Sequence, residues 1–393
     1  MRILRGLWDK ADRWELVMIL IRADANEKIG TGHMMRCIAI ARALRQRGQQ
    51  VCFITADDSG TPILRDQGQE YRVLHSDYSN MEDELPRLQR LFAEEKPDFF
   101  LADSYFLTGR YLQEIRQGVP VGILDDKVLT DLPADLLINY NIFADASLYG
   151  LDGAAGPGDI GMGSAGSGVI GMGAAGEDTV CGGYLLGTDY VPLRSEFEGI
   201  NYTVREKAEI VLITTGGSDK YNIAGQLLKK ALADPRAADL RYLVVSGAYN
   251  VHLPELKELE NSHENVYLFS NVRNMSGLMR ASDIAVSAGG STMYELSAVG
   301  VPVICFSFVD NQERIVRGFV EKNLTCFGGD YLSQGEAMLD EVVGNINRLA
   351  ADPDLRRSFS ERLRKVVDGR GAMRIAEKLC AECHRGQRRD ACI

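Results

Sequence analysis

Lys28-Ile29-Gly30-Thr31-Gly32-His33-Met34-Met35-Arg36 is the stretch on which the reading of this chain turns. Before it lies the apolar run Met18-Ile19-Leu20-Ile21-Arg22, bounded by polar residues and read as a buried strand. After it Met34, Cys37, Ile38, Ala41 and Leu44 recur at helical spacing, and Gly48 supplies a stop. The glycines therefore sit in a strand-to-helix turn at the carboxyl end of a first strand. Open α/β sheets bind ligands there, and the free N–H groups of a helix start favour anions. His33 stands at that helix start, where the helix dipole disfavours imidazolium and leaves a neutral ring able to accept a proton. Such a loop beside a neutral base suits a phosphorylated or nucleotide-linked substrate. An ordinary tight turn with a helix-capping histidine fits the same residues. The loop is not a Walker A, since no Gly-Lys-Ser/Thr follows, and the third glycine of a dinucleotide fingerprint is absent.

Outward from this turn, 393 residues with 45% hydrophobic content suffice for two domains with full cores. A formal net charge of −11 with no basic run argues against nucleic acid as the main partner. The eight cysteines follow no disulfide framework, and Cys37, Cys52 and Cys305 fall inside apolar elements, where a reduced buried thiol is expected. Cys380-Ala381-Glu382-Cys383-His384 resembles a metal-ligand run without a second ligand pair, so it is read as an incidental tail and no metal is expected. No stretch reaches the length of a transmembrane helix. Residues 1–17 lack the apolar run of a signal peptide and are read as an extension ahead of Met18. The expectation is a cytoplasmic monomer, with no membrane partner.

From Met18 the chain alternates strand and helix. Residues 51–55, 71–74, 99–102, 121–124 and 136–138 read as further strands, and 85–96 as an amphipathic helix that tolerates Pro86 in its first turn. Repeated apolar strands separated by helices predict a parallel sheet covered on both faces. Asp24, Asp103-Ser104-Tyr105, Asp125-Asp126 and Asn139-Tyr140-Asn141 then line its carboxyl edge. The glycine-rich segment 150–183 carries Ile-Gly-Met-Gly-Ser/Ala-Ala-Gly twice, at 160–166 and 170–176, and is read as a flexible insert. Order resumes at Tyr184, and the polar stretch Asn201 to Lys207 marks the hinge. A second α/β series follows, with strands near 210–213, 242–245, 266–269, 283–286 and 301–306. The domain reading is thus an extension at 1–17, a first domain at 18–197, a second at 208–370 and a helical tail at 371–393.

Two glycine turns in the second half, 214–219 and 287–292, each follow a strand and can offer backbone N–H groups to phosphates. Gly217, Gly289 and Gly290 allow close approach, and Ser218, Ser291 and Thr292 add hydroxyl donors. Glu295 lies three residues beyond Thr292, placed either to accept two ribose hydroxyls or to close a capping box with Thr292. Asp24, Asp103, Asp125 and Asp126 are candidate partners for His33 or a sugar, or turn residues after strands. Tyr105 can stack on or hydrogen-bond a sugar.

Together these motifs resemble the UDP-2,4-diacetamido-2,4,6-trideoxy-β-L-altropyranose hydrolases of pseudaminic acid synthesis. The resemblance is carried by Ile21-Arg22-Ala23-Asp24-Ala25, by Gly30 through Cys37, by Asp103-Ser104-Tyr105 and by Ile123-Leu124-Asp125-Asp126. It continues through Leu186-Gly187, Val191 to Phe197, Ser287 to Glu295 and Asp310-Asn311-Gln312. It runs from about Met18 to about Asp368. The second-half motif is shared with the wider superfamily of MurG-type glycosyltransferases. The resemblance implies a GT-B fold, two doubly wound α/β domains facing across a cleft, and cleavage of the UDP-sugar to UDP and free sugar without metal or cofactor. It implies His33 as the base that activates water, Glu295 as ribose ligand and Arg194 as a nucleotide contact. The expected substrate site gathers Asp24, Gly30, Thr31, Gly32, Tyr105 and Asp125 from the first half. From the second it takes Gly217, Ser218, Gly289, Gly290, Ser291, Thr292, Glu295 and Asn311. Residues 1–17 and the 150–183 insert depart from the family pattern. An inverting glycosyltransferase and a non-catalytic nucleotide-sugar binding protein are the competing readings.

Overall fold

Seven parallel strands form the first sheet of the computed structural model, which describes residues 16–129, 132–151, 183–247 and 249–390. They are β1 (Met18–Ala23), β2 (Gln50–Thr55), β3 (Glu70–Val73), β4 (Phe99–Asp103), β5 (Val121–Leu124), β6 (Leu136–Asn139) and β7 (Tyr184–Leu186), in the order β3-β2-β1-β4-β5-β6-β7. Helices α1 (Gly32–Gln46), α2 (Thr61–Asp66), α3 (Leu85–Glu95) and α4 (Gly109–Arg116) supply crossovers. The central strands are buried along their length, β4 and β5 without an exposed residue, as their unbroken apolar runs require when helices cover both faces.

The second sheet has six parallel strands in the same winding, β10-β9-β8-β11-β12-β13. Its strands are β8 (Ile210–Thr214), β9 (Arg241–Ser246), β10 (Val266–Ser270), β11 (Ile284–Ala288), β12 (Val303–Ser307) and β13 (Cys326–Asp330). Its helices are α5 (Ile223–Ala233), α6 (Leu253–Ser262), α7 (Met275–Ala281), α8 (Thr292–Val299), α9 (Asp310–Glu321), α10 (Tyr331–Gln334), α11 (Glu336–Ala351), α12 (Pro353–Leu363) and α13 (Gly371–Asp390). In each half the order of strands reverses beside the first one, β1 or β8. That reversal opens a crevice at the carboxyl edge, where the ends of β1 and β4, or of β8 and β11, diverge into their loops.

Several features depart from the local reading. β7 and β13 were not expected as strands; Cys326-Phe327-Gly328-Gly329-Asp330 carries two glycines, which weaken a strand pattern read in isolation. Asp310-Asn311-Gln312 begins α9. In the stretch 201–207, Tyr202 donates to the Ser282 carbonyl at 3.0 Å and Arg205 to Asp283 at 2.6 Å. The extension as far as residue 15 and the glycine-rich stretch 152–182 lie outside the described residues.

The last helix is no appendage of the second sheet. α13 lies against α1, and Ile375, Ala376, Leu379 and Cys380 enter the same apolar cluster as Cys37, Ala41 and Leu44. Ile375 and Leu379, four residues apart, form one stripe of α13 that is fully out of solvent. The chain thus crosses between the halves twice, and the crossings touch. A Cβ built on Gly371 would stand 2.3 Å from the Val191 carbonyl oxygen, a backbone atom that cannot swing away. Gly371→Ala should therefore lower unfolding free energy by about 1–3 kcal/mol through forced overpacking, measured by urea denaturation against Gly344→Ala, where the added methyl meets nothing within 4 Å.

Candidate active site

His33 opens α1 because Gly30, with φ at +75°, turns the chain back on itself after β1. The Gly30 N–H bonds back to the Asn26 carbonyl at 2.8 Å. No side chain caps α1, and no acidic residue occupies its first turn. The His33 side chain is buried, and its Nδ1 lies 2.6 Å from Asp103 Oδ1, with Arg36 Nη2 3.0 Å away as a second donor to the same carboxylate oxygen. Between a carboxylate and a ring nitrogen at 2.6 Å a proton must lie, so Nδ1 carries it. Nε2 is then the nitrogen with a free lone pair.

Asp103 ends β4 with its side chain fully out of solvent, and Arg36 grips it with a fork, Nε to Oδ2 at 2.6 Å and Nη2 to Oδ1 at 2.5 Å. Burial alone would raise the carboxyl, but Arg36 and then His33 outweigh it and hold Asp103 well below the usual carboxylate range. Arg36 Nη1 donates in addition to Asp126 Oδ2 and the Tyr140 hydroxyl, both at 2.6 Å. The local reading gave Arg36 no role. The available signal was its position one helical turn beyond His33, on the same face of α1.

Tyr105, two residues past Asp103, stands edge-on to the His33 ring with centroids 4.3 Å apart. Asn311 at the start of α9 faces the Tyr105 hydroxyl, so the carboxyl edges of the two sheets approach beside the imidazole. Lys127 Nζ lies 4.9 Å from the Tyr105 ring centre. On the second half, Glu295 forms no capping box. Ser291 is the N-cap of α8 without a side-chain bond, and Glu295 accepts from Arg194 Nη2 at 3.1 Å. Burial raises the Glu295 carboxyl, against the pull of Arg194. Gly290 and Gly217 face open space, with nothing within 4 Å of a built Cβ, and Gly217, Ser218 and Ser291 are exposed. Gly289 has a packing reason instead: a Cβ there would meet Val316 at 2.4 Å.

Two of the expected contacts face inward. Asp24 accepts the Ala56 N–H at 2.8 Å and the Arg22 guanidinium at 2.5 Å, which in turn pairs with buried Glu84. Asp125 accepts three successive N–H groups, of Lys127, Val128 and Leu129, and the Tyr149 hydroxyl. With these bonds, both carboxylates shape the loops around the site. Gly30, Thr31 and Gly32 lie in the turn ahead of His33, and Thr31 and Gly32 are not fully buried. A larger hollow bounded by Val309, Glu313, Arg317, Phe327 and Leu332 contains none of these residues.

Residues 210–352 match the glycosyltransferase family 28 C-terminal domain. MurG of Acinetobacter baumannii superposes on 92% of this chain and 98% of its own, with a TM-score of 0.61 at 12% identity. The fold is GT-B. The UDP-2,4-diacetamido-2,4,6-trideoxy-β-L-altropyranose hydrolase of Campylobacter jejuni is 23% identical over 306 residues, 77% of this chain and 96% of the hydrolase. The spore coat polysaccharide biosynthesis protein SpsG of Bacillus subtilis is 27% identical over 192 residues, 48% of this chain, and the chain spans about half of SpsG's length, 56%. The resemblance read from the motifs thus has a relative that matches across both halves.

Breaking the pair that orients His33 has a pH signature. Asp103 titrates lower folded than its ordinary value of about 3.9, so its stabilisation is complete above that value and fades only as pH falls toward the folded value. Asp103→Asn should therefore cost about 3–5 kcal/mol at pH 7 by leaving Arg36 short of its partner. In urea titrations at pH 7, 5 and 3, the gap to wild type should hold between the first two and begin to narrow at the third.

Proposed function

We propose that this protein hydrolyses a UDP-linked 2,4-diacetamido-2,4,6-trideoxy sugar to UDP and the free sugar, as in nonulosonate synthesis. The single observation that carries the reading is the orientation of His33. With Nδ1 tied to Asp103, the basic Nε2 is left for the cleft, and Tyr105 beside it faces Asn311 of the second half. The hydrolase relative, matched over 96% of its length, supports the same reading.

The chemistry follows from the two sides of the cleft. A water placed at Nε2 gives its proton to the ring as its oxygen bonds to the anomeric carbon. The bond from that carbon to the diphosphate oxygen breaks, and its electron pair leaves with UDP. Asp103 stabilises the imidazolium that forms. The Ser291 and Thr292 N–H groups at the start of α8 face the growing diphosphate charge, and Arg194 adds a cation beside Glu295. In this reading Glu295 holds the ribose, Gly217 and Ser218 border the phosphates, and attack opposite the leaving group inverts the anomeric centre. No step needs a metal.

A glycosyltransferase is the second reading, favoured by the family 28 match over residues 210–352. It differs only in the nucleophile, an acceptor hydroxyl in place of water. No helix among the described residues is long and apolar enough to cross a membrane, so a lipid acceptor would have to be met by a surface. Incubation with a panel of UDP-sugars, with and without acceptors, separates the readings: a hydrolase releases UDP with water alone, a transferase only with acceptor, and a binding protein in neither case.

Two substitutions probe the two sides. His33→Ala should cut turnover by about 10²–10⁴-fold with UDP affinity nearly unchanged, whereas a helix-cap role would lower the melting temperature and spare turnover. Glu295→Ala should weaken UDP binding by about 1.5–3 kcal/mol in calorimetry, because charge-assisted hydrogen bonds to ribose are lost. Unchanged affinity in a folded variant would remove Glu295 from the nucleotide site.

A further inference from the structure

Helix α8 carries Glu295 on the nucleotide side, and the residue before it reaches into the other half of the molecule. Tyr294 is fully buried. Its hydroxyl accepts the Ile142 N–H at 3.1 Å and donates to Asn141 Oδ1 at 3.1 Å, both in the loop after β6. Its ring stands edge-on to Tyr140 at 5.8 Å and leans on Phe319 of α9 at 5.6 Å. Close packing holds this contact, since a Cβ on Gly318 would come within 2.6 Å of Ile142 Cγ2.

From that hydroxyl an unbroken chain of hydrogen bonds leads to His33. Asn141 Nδ2 donates to Asp126 Oδ1 at 3.1 Å, and Asp126 Oδ2 accepts Arg36 Nη1 at 2.6 Å. Arg36 forks onto Asp103, which holds His33 Nδ1. A second, shorter route runs from the Tyr294 ring through Tyr140, whose hydroxyl accepts from the same Arg36 nitrogen. Every link is directional and largely shielded from water, so the place of α8 against the 139–142 loop decides where Arg36, Asp103 and the imidazole stand.

We propose that Tyr294 is a positioning residue that couples nucleotide occupancy of the second half to the orientation of His33 in the first. The proposal rests on the reading of His33 as base and of Glu295 with the 289–292 turn as nucleotide site. Tyr294 touches neither ligand nor base. A nucleotide that pulls on the start of α8 moves Tyr294 with it, and the loop, Arg36 and Asp103 follow. Bound UDP is thereby sensed at the imidazole, and a base set only when the nucleotide is seated favours reaction over idle protonation.

The test follows His33 directly, by the imidazole nitrogen resonances of the five histidines, with His33 assigned by its disappearance in His33→Gln. In the wild type, saturating UDP should shift the His33 signal. In Tyr294→Phe, which keeps the ring and removes the hydroxyl, calorimetry should give a UDP affinity within about twofold while the His33 shift is lost or halved. Turnover should fall about tenfold to a hundredfold at nearly constant KM, the cost of a base misplaced by a fraction of an ångström to an ångström. If Tyr294→Phe does not fold, Asn141→Ala cuts the same chain with α8 intact and carries the same expectations. A His33 shift of equal size in wild type and variant overturns the coupling, as does a UDP-saturated wild type whose His33 signal does not move. Failure of the parent reading looks different: UDP does not bind, or His33→Ala turns over like the wild type.

Discussion

Arg36 and Asp103 face each other through two short hydrogen bonds with the carboxylate fully out of solvent, and the first half of the molecule is arranged around that pair. Neither charge can be left alone there, because an unpaired buried ion costs several kcal/mol. Asp103 therefore also takes the His33 ring, and Arg36 also takes Asp126 and Tyr140. These groups come from α1, the end of β4, the loop after β5 and the loop after β6. One ion pair thus ties three strand ends and a helix start into a single connected corner, with the imidazole at its rim.

The same corner explains how two independently wound sheets make one cleft. Each half repeats the same strand order, and in each the reversal of direction leaves a crevice at the carboxyl edge. The halves meet edge to edge through small contacts: Tyr105 with Asn311, Tyr294 with the 139–142 loop, and Arg194 with Glu295. Behind them the chain crosses twice, and α13 returns to pack on α1, the helix that His33 begins. The last helix of the chain thereby buttresses the element that presents His33.

Much of this was legible in the sequence because it is local. The Gly30-Thr31-Gly32-His33 turn was readable from an apolar run before it and a helical period after it, and the turn at 289–292 likewise. Strand positions followed from unbroken apolar runs. What it left open was equally local. Asp24 and Asp125 sit at strand ends, where a carboxylate can serve a ligand or its own backbone, and spacing does not say which. Thr292 and Glu295 have the spacing of a capping box, yet the carboxylate reaches Arg194, over a hundred positions away in the chain. Cys326 to Asp330 hides a strand behind two glycines, because its place at the sheet edge comes from pairing with β12.

By itself, then, the sequence determined the two α/β series, the glycine turns at their carboxyl edges and the placement of His33 at a helix start. These depend on periodicity and on backbone freedom within a few residues. Only the tertiary structure decided which ring nitrogen of His33 carries the proton, that Arg36 is the hub of the site, and that Tyr294 ties one half to the other. Those follow from partners brought together across tens to hundreds of residues. Burial makes each such pairing obligatory, because a polar group taken out of water must find its partner wherever the fold places one.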